Sequence, residues 1–410
     1  MSEFASVPCT VCGCVCDDLR VSTAGDRIVS AANACGLATP WFLGQNSSRP
    51  PAAEIDGVPT EPDAAYARAA AILQRARNPL IYGLGRCSTA GLRAAAALAD
   101  RLGATIDTTD HAPSIVAMQQ VGESTCTLGE VKQRADLVIF WGCDPLRTHP
   151  RLVERYCPPR PGRTFVVVDE AETETTKAVD EFVRVTPGRH WEALWELRVL
   201  ATSKSSAASG GGSNGMAAIR NLFGRMKSCK FGIVFYGPRL AAGPNAHRVV
   251  EALFQLVADL NRQSRFYARW MGPLGDVAGA GDLLTWQFGY PFGINLAAGF
   301  PRYNPGEFTG PDVLARNEVD ACLLAGSESV REFPDIARDR LRTIPMILLD
   351  PADADPVVPA AVKFTTATFG IHCPGTAHRM DNVTMPLPTL LSTSYPDDGE
   401  VLNELLKRIA

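Results

Sequence analysis

Three short runs do most to limit what this chain can fold into. Pro79–Gly85 (PLIYGLG), Asp136–Trp141 (DLVIFW) and Thr164–Asp169 (TFVVVD) are apolar almost throughout, and each leads into Gly, Asp or Glu. A strand that is apolar on both faces must be covered on both faces, the mark of a parallel sheet flanked by helices. The Ala-rich, helically periodic stretch Thr89–Leu102 and the short run Ala104–Asp107 lie between the first two strands. After the low-complexity segment SKSSAASGGGSNG the same order returns in Phe231–Tyr236, Ala321–Ala325 and Met346–Asp350. The turns match in kind, WGCDP with AGSES and VVDEAE with LLDPAD. In open parallel sheets ligands bind at the carboxyl ends of the strands, so these four turns are the place for an extended ligand.

The expected fold class is therefore α/β, with two related doubly wound parallel-sheet lobes and a small N-terminal cysteine-rich lobe. The boundaries read as 1–55 for the cysteine-rich lobe, 56–202 for the first α/β lobe and 203–215 for a flexible linker. The second lobe follows at 216–352, and 353–410 returns to the first lobe and the cleft. Its last part, Glu400–Ile409, reads as an amphipathic helix.

The cysteine-rich lobe carries CTVCGCVCDD, and NACG follows. Cys9-x2-Cys12-x3-Cys16 bends a loop so that three thiolates converge, and Cys35 can close a four-sulfur site. Such a set serves an iron–sulfur cluster or a structural zinc, or folds as reduced thiols. Cys14 is interleaved and points away. The remaining seven of the twelve cysteines are scattered, which reads as small buried side chains rather than a disulfide framework.

A net charge of −4 with no basic block excludes nucleic acid as a partner. No apolar run approaches the ~18 residues of a membrane span. The start MSEFASVPCT has no signal-peptide pattern, so the expected location is the cytoplasm. No G-x-S-x-G, H-E-x-x-H or P-loop pattern offers an independent hydrolase site.

Longer stretches carry a family resemblance. The N-terminal cluster resembles the start of the molybdenum/tungsten bis-pterin oxidoreductases. IDTTDHAPS (106–114), QQVGESTCTLGEVKQRADLVIFWGCDPLRTHPR (119–151), WQFGYPF (286–292), PRYNPGE (301–307) and GTAHRMDNV (375–383) resemble the B subunit of formylmethanofuran dehydrogenase. In kind the chain is most similar to the B subunit of the bacterial formyltransferase/hydrolase complex.

The resemblance implies a [4Fe–4S] site at Cys9, Cys12, Cys16 and Cys35. It also implies a pterin cleft that includes Cys143, His149, Gly375, Thr376, His378 and Arg379. Three departures point away from redox chemistry. Asp110, followed by His111, stands where the dehydrogenases place a cysteine ligand to the metal, and carboxylate is the harder donor. Gly272 stands where they carry an arginine suited to formate, and Arg269 is the nearest replacement. Gly36 replaces a basic residue between cluster and pterin.

The reading that follows is a non-redox scaffold subunit in tetrahydromethanopterin- and methanofuran-linked oxidation of formaldehyde to formate. No catalytic residue is expected on the chain and no Mo/W bis-pterin, while the cluster stays open. The alternative is an active B subunit of a formylmethanofuran dehydrogenase. The resemblance implies amidohydrolase-type, formyltransferase and β-barrel/β-helix-type partner subunits. The barrel that closes over the cofactor in self-contained relatives does not follow GTAHRMDNV here, and in formylmethanofuran dehydrogenases a separate subunit supplies it.

Overall fold

The computed structural model describes residues 1–410 except 109–111, 204–213, 244, 273–274 and 410. Asp110 and His111, and nearly all of the 203–215 segment, thus lie outside the described residues. The chain divides into two units, Met1–Asp110 with Leu274–Ala410, and His111–Pro273.

In the unit 111–273, five strands form one sheet in the order 181–184, 164–169, 137–141, 231–236, 265–270, all parallel. The order reverses between Leu137–Trp141 and Phe231–Tyr236, and every residue of both strands is buried. That is why the runs are apolar on both faces. The helix Ala246–Leu260 buries Val250, Leu253, Phe254, Leu256 and Val257, and packs on the helices Ala112–Val121 and His190–Thr202. Each such side chain contributes about 1.5–3 kcal/mol on leaving water.

The other unit is built on a nine-stranded sheet. Its centre is parallel, in the order 105–106, 79–83, 321–325, 346–351, 362–366. Antiparallel pairs extend it at both edges, 294–295 with 302–303 on one side and 53–55 with 58–59 on the other. The helix Thr89–Leu102 begins at Ser88, whose hydroxyl accepts the Gly91 N–H, and ends at the left-handed Gly103. The C-terminal helix Asp398–Ile409 lays Val401, Leu402 and Leu405 against this helix and against Pro62–Arg75. The cysteine-bearing segment folds as a three-stranded antiparallel sheet, 2–7, 19–24 and 27–32, followed by the helix Ala38–Gly44.

The α/β class with parallel sheets is what the apolar runs require. The sheets, however, do not follow the chain in halves. Strands 79–83 and 137–141, both expected in a lobe spanning 56–202, belong to different sheets, and 137–141 pairs with 231–236 from beyond the Gly/Ser segment. An apolar run specifies that a strand is buried; it does not name the neighbour across the crossover. No described helix is long and apolar enough to cross a membrane.

Candidate functional site

In the unit 111–273, the turn Gly142-Cys143-Asp144 leaves the central strand at the point where strand order reverses. Cys143 is buried, and its thiol donates to the Phe235 carbonyl at 3.5 Å. Burial first, and then the Asp169 carboxylate, push this thiol well above its ordinary range. A Cβ on Gly237 would stand 2.5 Å from the Cys143 Cβ and 2.8 Å from the Gly142 carbonyl, so glycine is what lets the two turns meet. Asp144 occupies the N-cap of the short helix Pro145–Thr148 but does not cap it. Its Oδ1 instead accepts the Thr175 hydroxyl at 2.5 Å and the Thr175 N–H at 3.2 Å.

Two of the residues singled out from the sequence meet here. His149 is buried, and its Nε2 lies 2.7 Å from the carbonyl oxygen of Gly272. A carbonyl only accepts, so Nε2 carries the hydrogen, and Nδ1 faces the Thr148 hydroxyl at 2.9 Å. Burial holds the imidazole neutral, with its pKa lowered to about 4. Arg269 turns to the Cys126 carbonyl at 2.9 Å.

The sequence reading missed Arg239, which forks onto Asp169 through Nε at 2.9 Å and Nη2 at 2.5 Å. Asp169 ends the TFVVVD run and is wholly buried. An acid at the end of a buried run is the signal that should prompt a search for its cation.

In the other unit, a cavity of about 210 Å³ opens at the carboxyl ends of 79–83 and 321–325, again where strand order reverses. Arg86, Cys87, Ser327, Glu328, Asp353 and Thr366 line it, and Arg86 pairs with Glu328. Asp350 Oδ1 accepts the Ser327 N–H at 2.8 Å, and burial raises this carboxyl to about 6. Asp350 Oδ2 and Ser327 Oγ are buried without a hydrogen bond of normal geometry. The AGSES and LLDPAD turns are therefore in this unit, and WGCDP and VVDEAE are in the other.

The strand Gly375–His378 pairs with Thr384–Leu387. Thr376 and His378 face a second cavity of about 180 Å³ together with Asp276, Asp282 and Trp286. Asp276 Oδ1 accepts the His378 N–H at 2.6 Å, and burial raises the Asp276 carboxyl to about 8. His378 Nδ1 stands 3.6 Å from Asp282 Oδ2. Arg379, expected to face a pterin, is buried and forks onto Asp381 at 2.6 and 2.9 Å.

The N-terminal thiols lie in the same unit. The loop closes on itself through Cys9 N–H to the Cys16 carbonyl (2.9 Å) and Val15 N–H to the Cys12 carbonyl (3.1 Å). It is tied to later segments by Met380 N–H to Gly13 and Gly275 N–H to Thr10. Cys9, Cys12 and Cys16 are buried and Cys35 is half-buried. The Cys9 thiol is pushed up by burial above all, and Cys12, Cys16 and Cys35 are near enough to add to the effect. Cys14 is no bystander: its thiol hydrogen-bonds Cys12 and lowers that group. The donor chemistry suits a soft metal or a cluster. Among the described residues, however, no three His, Cys, Asp or Glu side chains stand close enough to hold a metal ion. The thiols as placed are neighbours rather than a ligand shell.

The folds and turns define a class: an α/β protein built on parallel sheets with two strand-order reversals. No family model matches the chain. It is 32% identical over 425 residues to the B subunit of the tungsten-containing formylmethanofuran dehydrogenase 2 of Methanocaldococcus jannaschii, covering 98% of each chain. The corresponding protein of Methanococcus maripaludis is 30% identical over 430 residues, covering 100% of this chain and 99% of the relative. The B subunit of the formyltransferase/hydrolase complex Fhc from Methylorubrum extorquens is 26% identical over 292 residues, 67% of this chain and 75% of that one. The crystal structure of that organism's FhcABCD complex with methylofuran contains a chain of the same fold. It superimposes with a TM-score of 0.70 at 22% identity, covering 87% of this chain and 98% of that one. The chain belongs to the family of formylmethanofuran dehydrogenase B subunits.

Proposed function

We propose that the chain is a non-redox scaffold subunit of a formyltransferase/hydrolase complex in the cytoplasm. It would serve one-carbon oxidation from formaldehyde to formate on tetrahydromethanopterin and methanofuran carriers. Amidohydrolase-type and formyltransferase subunits do the chemistry, and a β-barrel/β-helix-type subunit completes the assembly. The observation that carries this reading is the bond between His149 and Gly272. Where the dehydrogenases resemble this segment but place an arginine, a neutral backbone carbonyl takes up the only proton that His149 Nε2 has to offer. That spot holds no cation for formate. The half-buried pair Arg239–Asp169 and the buried pair Arg379–Asp381 support the same reading, because each spends its guanidinium on a carboxylate of its own unit.

The test is elemental analysis of the complex purified from its native host, with assay of viologen-linked formate chemistry. Trace metal and no turnover are expected. Stoichiometric tungsten or molybdenum with turnover overturns the reading in favour of an active dehydrogenase. Two observations favour that second reading: the full-length likeness to tungsten-containing proteins, and the retention of Cys9, Cys12, Cys16 and Cys35 as neighbours.

A further inference from the structure

Three of the exposed aromatic side chains fall within one stretch, 286–300, that leads into the edge strand of the nine-stranded sheet. Trp286 is 64% exposed, Phe300 59% and Tyr290 36%. Trp286 is on the helix Val277–Phe288, which packs on the helix Thr89–Leu102. Phe300 is in the loop of the hairpin 294–303, and Arg302–Tyr303 is the terminal strand of the sheet. Tyr290 stacks on Tyr303 at 4.7 Å.

Two cations stand on aromatic rings of this stretch and of the residues just beyond it. The Arg93 guanidinium lies 4.8 Å over the Trp286 ring, and that of Arg302 lies 5.0 Å over Phe308. Neither meets a carboxylate among the described residues; Arg302 has only the Asn295 amide oxygen at 2.6 Å. Three acids between 282 and 312 are engaged elsewhere. Asp282 faces His378, Glu307 accepts from Asn304 at 2.8 Å, and Asp312 takes the Thr309 hydroxyl. On a chain of net charge −4, exposed aromatic rings and cations without carboxylate partners thus accompany an open strand edge.

We propose that this edge docks an acidic segment of another subunit of the complex. The aromatic rings supply desolvated anchors, and Arg93 and Arg302 await carboxylates. A second copy of the chain is disfavoured as the occupant, since a two-fold contact would set the same cations against each other. The inference rests on membership of a multi-subunit complex and not on the absence of redox chemistry.

The test compares hydroxyl-radical footprints of the free chain and of the native complex. Oxidation of Trp286, Tyr290 and Phe300 is expected to fall about fivefold or more in the complex, as interface cores exclude water. Unchanged oxidation overturns the proposal, and so does protection that appears in the free chain together with dimer formation. Reversing the charge with Arg93→Glu and Arg302→Glu is expected to weaken association with the other subunits about tenfold or more, while Arg93→Lys with Arg302→Lys keeps most of it. Both residues are exposed, so an unchanged melting profile shows that the variants fold. Association that ignores the reversed charges overturns the acidic occupant. Metal analysis of the same preparation reports on the non-redox reading separately, and neither result moves the other.

Discussion

Asp398 accepts both the backbone N–H and the hydroxyl of Ser88, each at 2.8 Å, across 310 residues of chain. The same Ser88 oxygen accepts the Gly91 N–H at 3.0 Å and so caps the helix Thr89–Leu102. One serine thus starts a helix and fastens the C-terminal helix to it. Ser88→Ala removes the cap and leaves a buried carboxylate short of a donor. A loss of about 2–3 kcal/mol is expected, the cap and the orphaned acceptor each costing about 1 or more. Urea denaturation measures it.

Asp276 gives the fold a pH dependence of known sign. Its folded carboxyl is raised to about 8, chiefly by burial, against about 3.9 for an unperturbed aspartate. Between those values the folded protein keeps a proton that the unfolded chain has released. Its contribution to stability therefore falls as pH rises from about 4 to 8. Asp276→Asn keeps an oxygen for the His378 N–H and removes the titration. The stability of the wild type relative to the variant, from denaturation midpoints at pH 5, 6.5 and 8, should fall as pH rises.

Some of this architecture is legible in the sequence and some is not, for physical reasons. Thr164–Asp169 and Phe231–Tyr236 are readable to the residue because strands covered on both faces exclude polar side chains. Which strands pair is not readable, since apolar runs such as PLIYGLG and DLVIFW are equivalent until the crossovers place them in different sheets. His149 stands out as a histidine just beyond a central strand, but its partner Gly272 is 123 residues away and contributes only backbone. Arg239 belongs to no motif, and its carboxylate lies 70 residues earlier in the chain. Asp276 looks like any acid near a glycine until burial raises its pKa.

His149 acts in the opposite direction. Its folded imidazole resists protonation down to about 4, while an unfolded histidine takes a proton near 6.5. The contribution is full above pH 6.5 and is lost as pH falls toward 4, by about 3 kcal/mol in total. His149→Gln can still donate to Gly272 and does not titrate. The stability difference between wild type and variant should shrink or reverse on acidification, read by denaturation from pH 7 to 4.

Arg239→Ala should be costlier than an exposed arginine loss. Asp169 is wholly buried, and the Arg239 side chain is 36% exposed. Removing one partner of a buried pair costs about 3–5 kcal/mol, and partial access of water to this one lowers the expectation to about 2–3. Arg239→Lys should recover only part, because an ammonium cannot fork onto two oxygens. Thermal melts of both variants rank the three proteins.

The three departures on which the proposed reading rests, at Asp110, Gly272 and Gly36, can be tested by changing them one at a time. A Cβ at Gly36 would meet nothing within 4 Å, so Gly36→Lys should fold with a change inside about 0.5 kcal/mol. It restores charge near Cys35 and nothing more. Asp110→Cys returns a soft ligand of the kind the dehydrogenases use. Under the proposed reading, Gly272 still offers only a carbonyl engaged by His149, and no guanidinium. The single and double repairs, assembled with the other subunits and supplied with tungsten, should therefore show no viologen-linked formate turnover. Turnover from Asp110→Cys alone would overturn the proposed non-redox reading.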